Sequence, residues 1–112
     1  MSEKLLIIED LVRDKSICLV DEAIFTGATL KTVCNQLRDV GVKSIYIAIP
    51  TPPCYRQCHV KMLPQRNMLL EYQRSENLSY YFDSDEVYYG TVEEFDAELY
   101  KHGKFCYNCF QK

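Results

Sequence analysis

The chain has 112 residues, 47% of them hydrophobic and 26% charged, and a formal net charge of −3. That size and balance describe one globular domain with a core of its own and exclude a disordered polymer. The lack of a basic run excludes nonspecific nucleic-acid binding, and no apolar segment approaches the ~20 residues that span a bilayer.

The start, Met1-Ser2-Glu3-Lys4, carries charge too early and too short an apolar stretch for a signal peptide, so a cytoplasmic location is expected. The six cysteines are then expected as free thiols or metal ligands rather than disulfides. Nine tyrosines crowd toward the C-terminal half, which suggests a half-buried surface or interface there.

In chain order, residues 5–12 form an apolar segment too short for periodicity to assign to strand or helix. Arg13-Asp14-Lys15 is a polar turn. Residues 17–20 are a continuous apolar run, as expected of a parallel strand buried on both faces, which would make Cys18 a core residue. Between residues 28 and 40, Leu30, Val33, Cys34, Leu37 and Val40 recur at helical spacing as one stripe, and Gly41 stands where a helix-ending glycine belongs. Residues 45–49 are a second buried strand, so strand, helix and strand compose a right-handed βαβ unit. Pro50, Pro52 and Pro53 stop it. A polar segment, 54–61, follows, and a helix is expected from Met62-Leu63 past Pro64 toward Tyr72. Ser75 is an expected N-cap for a short helix over 76–82. Residues 86–89 read as a strand closed by Gly90. Thr91 and Glu94 form a capping box that opens a helix with Val92, Phe95 and Leu99 on one face. Gly103 is expected to end the regular structure. Neither a repeat nor a domain boundary interrupts the chain, so residues 1–112 read as a single α/β domain.

The chemistry concentrates between the first strand and the first long helix. Asp21 and Glu22 end the strand, and Ala23, Thr26, Gly27, Ala28 and Thr29 lead into the helix. A helix start presents unpaired N–H groups and a partial positive charge, a seat for phosphate. Gly27 would let the backbone approach the anion, with the Thr26 and Thr29 hydroxyls as extra donors. The two carboxylates suit vicinal hydroxyls or a divalent cation. Phosphate at one end and hydroxyls at the other describe a ribose 5-phosphate. The plain alternative is a crossover loop with acidic residues at the strand end.

This stretch resembles the ribose-phosphate loop of the type I phosphoribosyltransferases: apolar strand, two acids, then Thr-Gly-x-Thr. The resemblance implies a Rossmann-like parallel sheet with flanking helices and phosphoribosyl pyrophosphate (PRPP) with Mg2+ as ligand. It marks Asp21, Glu22, Ala23, Thr26, Gly27, Ala28 and Thr29 as the ribose- and phosphate-binding residues, with Glu22 standing where Asp is usual. Further along, the chain is similar to one branch, the glutamine PRPP amidotransferases of purine synthesis. Asp14-Lys15 occupies the turn before the loop, Ala48-Ile49-Pro50-Thr51-Pro52-Pro53 follows the second strand, and Gly103-Lys104-Phe105-Cys106-Tyr107-Asn108-Cys109-Phe110 closes the match. The similarity covers the C-terminal part of that family, so a partial phosphoribosyltransferase fold is expected, without the glutaminase domain, the pyrophosphate loop or the flexible lid.

In some members of that branch the terminal Cys-x-x-Cys supplies two ligands of a 4Fe-4S cluster. The resemblance implies Cys106 and Cys109 as that pair and Cys54 or Cys58 as a third ligand. Thiolates suit iron or zinc, with His59 and His102 as spare zinc ligands. Reduced thiols without metal are the other reading. Cys34 lies in the helix stripe and reads as core.

Three functions are consistent with the residues. The chain could be a component of a split phosphoribosyltransferase, completed by a partner chain. It could be a non-catalytic binder of ribose 5-phosphate, PRPP or a nucleotide, which the lack of a second phosphate loop favours. It could be a small metal or dimerisation module. A half-domain exposes a sheet edge and an apolar face, so a homo-oligomer or partner chain is expected, with Tyr80, Tyr81, Tyr88 or Tyr89 near the contact.

Overall fold

The computed structural model describes residues 7–24, 26–56, 68–71 and 73–111. In chain order these form α1 (Glu9–Val12), β1 (Ser16–Val20), α2 (Ala28–Asp39), β2 (Ser44–Ile49), α3 (Leu78–Phe82), β3 (Glu86–Tyr89) and α4 (Val92–Leu99). Short 3-10 turns lie at Leu69–Glu71, Ser75–Asn77, Tyr100–His102 and Asn108–Phe110. The strands form a parallel sheet in the order β1-β2-β3. Ile17 pairs with Ile45, Leu19 with Ile47, and Ile47 in turn with Val87. The expected α/β architecture and the β1–α2–β2 unit are therefore present.

Successive strand residues face opposite sides of a sheet, and the two sides differ sharply here. Ile45, Ile47 and Ile49 of β2 are buried with Leu30, Cys34 and Leu37 of α2, Leu78 and Phe82 of α3, and Leu69. Each fully buried aliphatic or aromatic side chain contributes about 1.5–3 kcal/mol relative to exposure. On the other side, Cys18 and Tyr88 are exposed and Val20 keeps 74% of its surface. The expectation that β1 is buried on both faces, with Cys18 in the core, is thus corrected. Burial along β1 alternates instead, with Ile17 and Leu19 half-buried on the core side and Cys18 and Val20 exposed on the other.

Local chemistry explains where the helices stop. Gly41 takes φ 85°, the Val42 N–H donates to the Leu37 carbonyl (3.3 Å), and the Gly41 N–H donates to the Arg38 carbonyl (3.1 Å). This is the glycine-ended helix turn expected from sequence. At α4, the Thr91 hydroxyl accepts from the Glu94 N–H and the Glu94 carboxylate accepts from the Thr91 N–H, both at 3.0 Å. The capping box is therefore complete.

Two further expectations are revised, and a third falls largely outside the described residues. Ser75 caps nothing: a 3-10 turn occupies Ser75–Asn77, α3 starts only at Leu78, and the Ser75 hydroxyl donates to the Glu76 carboxylate (3.4 Å). Of the helix expected over 62–72, residues 62–67 and Tyr72 lie outside the described residues, and Leu69–Glu71 form a 3-10 turn. Regular structure also continues past Gly103, because Asn108–Phe110 coil once more. There Phe110 meets Phe95 of α4 edge-to-face at 6.2 Å, and the Tyr107 hydroxyl donates to Asp96 (2.9 Å).

Among the four tyrosines expected near an interface, the structure separates two kinds. Tyr80 is 92% exposed and Tyr88 is also exposed. Tyr81 packs edge-to-face on Phe82 at 5.0 Å, and Tyr89 is half-buried against the core. No helix among the described residues is long and apolar enough to cross a membrane.

Candidate ribose-phosphate site

The site begins where β1 runs out. The Asp21 N–H still reaches the Ala48 carbonyl of β2 at 3.4 Å, so both acidic residues emerge at the C-terminal edge of the sheet. Ligands of open parallel sheets bind outside that edge. One oxygen of Asp21, Oδ1, accepts the Glu22 N–H at 2.8 Å. The Glu22 carbonyl accepts from the Thr51 hydroxyl at 2.8 Å. Both acidic side chains are exposed, and no lysine or arginine among the described residues pairs with either. The free Asp21 Oδ2 and the Glu22 carboxylate therefore face solvent as acceptors for hydroxyls.

The loop then turns inward before it starts α2. Ala23 is half-buried and Ile24 is only 2% exposed, which anchors the loop in the core. Phe25 lies outside the described residues. Thr26 is half-buried, and its hydroxyl accepts a long 3.4 Å bond from the Ala28 N–H. The Lys31 N–H donates to the Gly27 carbonyl at 2.9 Å, closing the first turn. The N–H groups of Thr29 and Leu30 precede that bond, in the turn where a helix has no earlier carbonyls to pair them. Ala28 and Thr29 are exposed, so this helix start is open to a ligand. Lys31, one turn in, does not point its charge there: its Nζ donates to the Tyr81 carbonyl (2.6 Å) and lies 4.0 Å over the Tyr81 ring.

Gly27 also has a structural part. It caps α2 with φ 79°, a left-handed conformation that L side chains rarely adopt. A Cβ there would sit 2.9 Å from Leu69 Cδ2 and 3.1 Å from Phe82 Cζ. The glycine is needed by the turn and by the core beneath it, and the space it leaves faces the core.

The donor set at the acidic pair fits magnesium in kind, since carboxylate oxygens are the hard ligands that ion takes. Among the described residues no cluster of three or more His, Cys, Asp or Glu could hold a metal ion. Magnesium at Asp21 and Glu22 would thus complete its shell with ligand oxygens and water. The cysteines are distributed less simply. Cys54 is buried, Cys106 exposed and Cys109 half-buried, while Cys58 and His59 lie outside the described residues. The tail does fold back to the segment after β2: the Tyr55 N–H donates to the Cys109 carbonyl (2.8 Å) and Arg56 Nε to the Gln111 carbonyl (3.1 Å). The Cys54 thiol itself donates to the Arg56 carbonyl at 3.5 Å.

Thr51 went unnoticed in the sequence reading. The available signal was its place in Pro50-Thr51-Pro52-Pro53, directly after a strand that must lie beside β1. Parallel pairing of Val20 with Ala48 puts the two following loops side by side, so a hydroxyl in one can reach a carbonyl in the other.

The parallel sheet with flanking helices, its first strand ending in two exposed carboxylates before a glycine-capped helix start, shares its fold with solved phosphoribosyl pyrophosphate amidotransferases. In sequence the chain is similar to the C-terminal part of the amidophosphoribosyltransferases. It is 31% identical over 68 residues to amidophosphoribosyltransferase of Pyrococcus horikoshii, covering 60% of this chain and 15% of that protein. It is 27% identical over 110 residues to the chloroplastic amidophosphoribosyltransferase 1 of Arabidopsis thaliana, covering 96% and 19%. The chain therefore spans less than a fifth of the length of these two relatives. Among solved structures, an allosteric regulatory enzyme of purine biosynthesis superposes with a TM-score of 0.81 at 19% identity, covering 93% of this chain and 24% of the other. The glutamine PRPP amidotransferase from B. subtilis complexed with ADP and GMP superposes at 0.75 and 20% identity, covering 93% and 23%. No family model matches the chain.

Proposed function

We propose that this amidophosphoribosyltransferase-like chain binds a ribose 5-phosphate group, free or within PRPP or a nucleotide, at the 21–29 loop. The observation that carries this reading is the juxtaposition of an open helix start with two exposed carboxylates that no described cation neutralises. The α2 N–H groups donate to the phosphate oxygens, helped by the helix dipole and the Thr26 and Thr29 hydroxyls. Asp21 and Glu22 accept from the ribose hydroxyls, and when PRPP is the ligand their carboxylates would hold Mg2+, which would supply positive charge to offset the phosphates. Glu22 reaches further than an aspartate and grips with less rigidity. Carboxylates beside the sugar would also favour the positive charge that develops at its anomeric carbon during transfer. Grasping the pyrophosphate and the acceptor takes further groups, so transfer is assigned to a longer enzyme or to a partner chain rather than to these residues alone. Homology to amidophosphoribosyltransferases supports the ligand class.

Calorimetric titration with ribose 5-phosphate, and with PRPP plus Mg2+, tests the reading. Saturable binding of both without pyrophosphate release is expected. Absence of binding contradicts the site, and pyrophosphate release from PRPP with an ammonia acceptor contradicts the assignment of transfer to other groups.

A further inference from the structure

We infer that Thr51 is a positioning residue for the acidic pair, and that the ribose end of the site is built from two loops rather than one. This rests on the ribose 5-phosphate reading of the 21–29 loop. The Glu22 backbone is held on both sides of its Cα: its N–H by Asp21 Oδ1 and its carbonyl by the Thr51 hydroxyl, each at 2.8 Å. The first bond is local and turns with the loop. The second crosses to a different segment, 29 residues away in sequence.

That segment is stiff for identifiable reasons. Pro50 and Pro52 flank Thr51, and a residue that precedes proline is confined to extended conformations. Pro52 is among the fully buried side chains, so the segment is seated in the core. Thr51 itself is half-buried. The hydroxyl is therefore offered from a fixed point. It fixes the Glu22 carbonyl and, through the Glu22 backbone, the orientation in which Glu22 presents its carboxylate and Asp21 its unpaired Oδ2. Without the bond, the exposed residues at 21 and 22 would be oriented only by the local turn and by the long 3.4 Å bond from the Asp21 N–H to the Ala48 carbonyl. The phosphate end is independent of this restraint, because the turn of α2 is set by Gly27 and the core.

The test is Thr51→Val, which keeps shape and branching but removes the hydroxyl, with Thr51→Ser as rescue. The full chain is titrated with ribose 5-phosphate and, separately, with inorganic phosphate, and thermal unfolding is followed for each variant. Thr51→Val is expected to weaken ribose 5-phosphate by about five-fold, the scale of one neutral hydrogen bond, and phosphate by less than about two-fold. Thr51→Ser is expected to restore ribose 5-phosphate binding to within about two-fold of the parent. Equal ribose 5-phosphate affinity in parent and Thr51→Val overturns the positioning role while leaving the site intact. Parallel losses of both ligands and of the unfolding midpoint overturn it in favour of a general structural role. A parent protein that binds neither ligand overturns the ribose 5-phosphate reading, and this inference with it.

Discussion

Arg38 near the end of α2 and Asp85 at the entry to β3 lock the helix layer to the sheet. Arg38 Nη2 donates to Asp85 Oδ2 at 3.2 Å, and the same carboxylate oxygen accepts the Ile45 N–H of β2 at 2.8 Å. The Asp85 N–H donates back to the Ile45 carbonyl at 2.7 Å, and Arg38 Nε donates to the Asp83 carbonyl at 2.9 Å. One guanidinium thus gathers the α3–β3 turn onto β2, the strand that carries Ala48 and leads into the Thr51 loop.

That arrangement has a pH signature. The Ile45 N–H, followed by Arg38, holds the Asp85 carboxyl below its ordinary value. A lowered native pKa means the unfolded chain binds more protons, so this contribution is present above the unfolded value of about 3.9 and is lost as pH falls through the native one. Chemical denaturation between about pH 6 and pH 2 should show stability falling with acid, and less steeply in Asp85→Asn. Identical acid dependence in the two proteins would remove Asp85 from the account.

Gly27→Ala is expected to destabilise the fold by about 1–3 kcal/mol, from the left-handed backbone and the encounter with Leu69 and Phe82. Urea unfolding measures this directly. A change under about 0.5 kcal/mol would mean the α2 start relaxes to accommodate a side chain.

The cysteines make the two faces of the sheet visible to a thiol reagent. Cys18 and Cys106 are exposed, whereas Cys34 and Cys54 are buried. Burial pushes the Cys34 thiol up to about 11, so thiolate is scarce there near neutral pH. Labelling followed by peptide mass spectrometry should modify Cys18 and Cys106 first, and Cys34 and Cys54 only on unfolding. Slow labelling of Cys18 that speeds up on dilution would show that a second chain covers the open face of the sheet.

The parts of the fold legible in the sequence are those in which local pattern and tertiary packing agree. The α2 stripe, Gly41 and the Thr91–Glu94 box are short-range devices, and each forms as read. β3 could be read from Val87-Tyr88-Tyr89 because Gly90 and the polar residues before it bracket the run. The misreadings come from partners that only the fold supplies. Cys18 looked like core because an apolar run does not reveal whether both faces of its strand are covered. Ser75 looked like a cap, but a 3-10 turn intervened before α3. In the site, Asp21, Glu22 and the threonines were legible because strand, loop and helix are contiguous. The packing of Gly27 against Leu69 and Phe82 depends on segments distant in sequence, and the reach of Thr51 to Glu22 follows only once β1 and β2 are paired.

The central claim is that phosphate and sugar are held by different parts of one loop, and Asp21→Asn separates them. Asparagine keeps an oxygen that can accept from the Glu22 N–H, so the turn should survive, while the charge that grips the ribose hydroxyls is lost. Titration of parent and variant with ribose 5-phosphate and with inorganic phosphate should show the sugar phosphate weakened by about ten-fold, the scale of exchanging a charged for a neutral acceptor, and inorganic phosphate almost unchanged. Equal losses for the two ligands, or no loss for either, would contradict the assignment of Asp21 to the sugar.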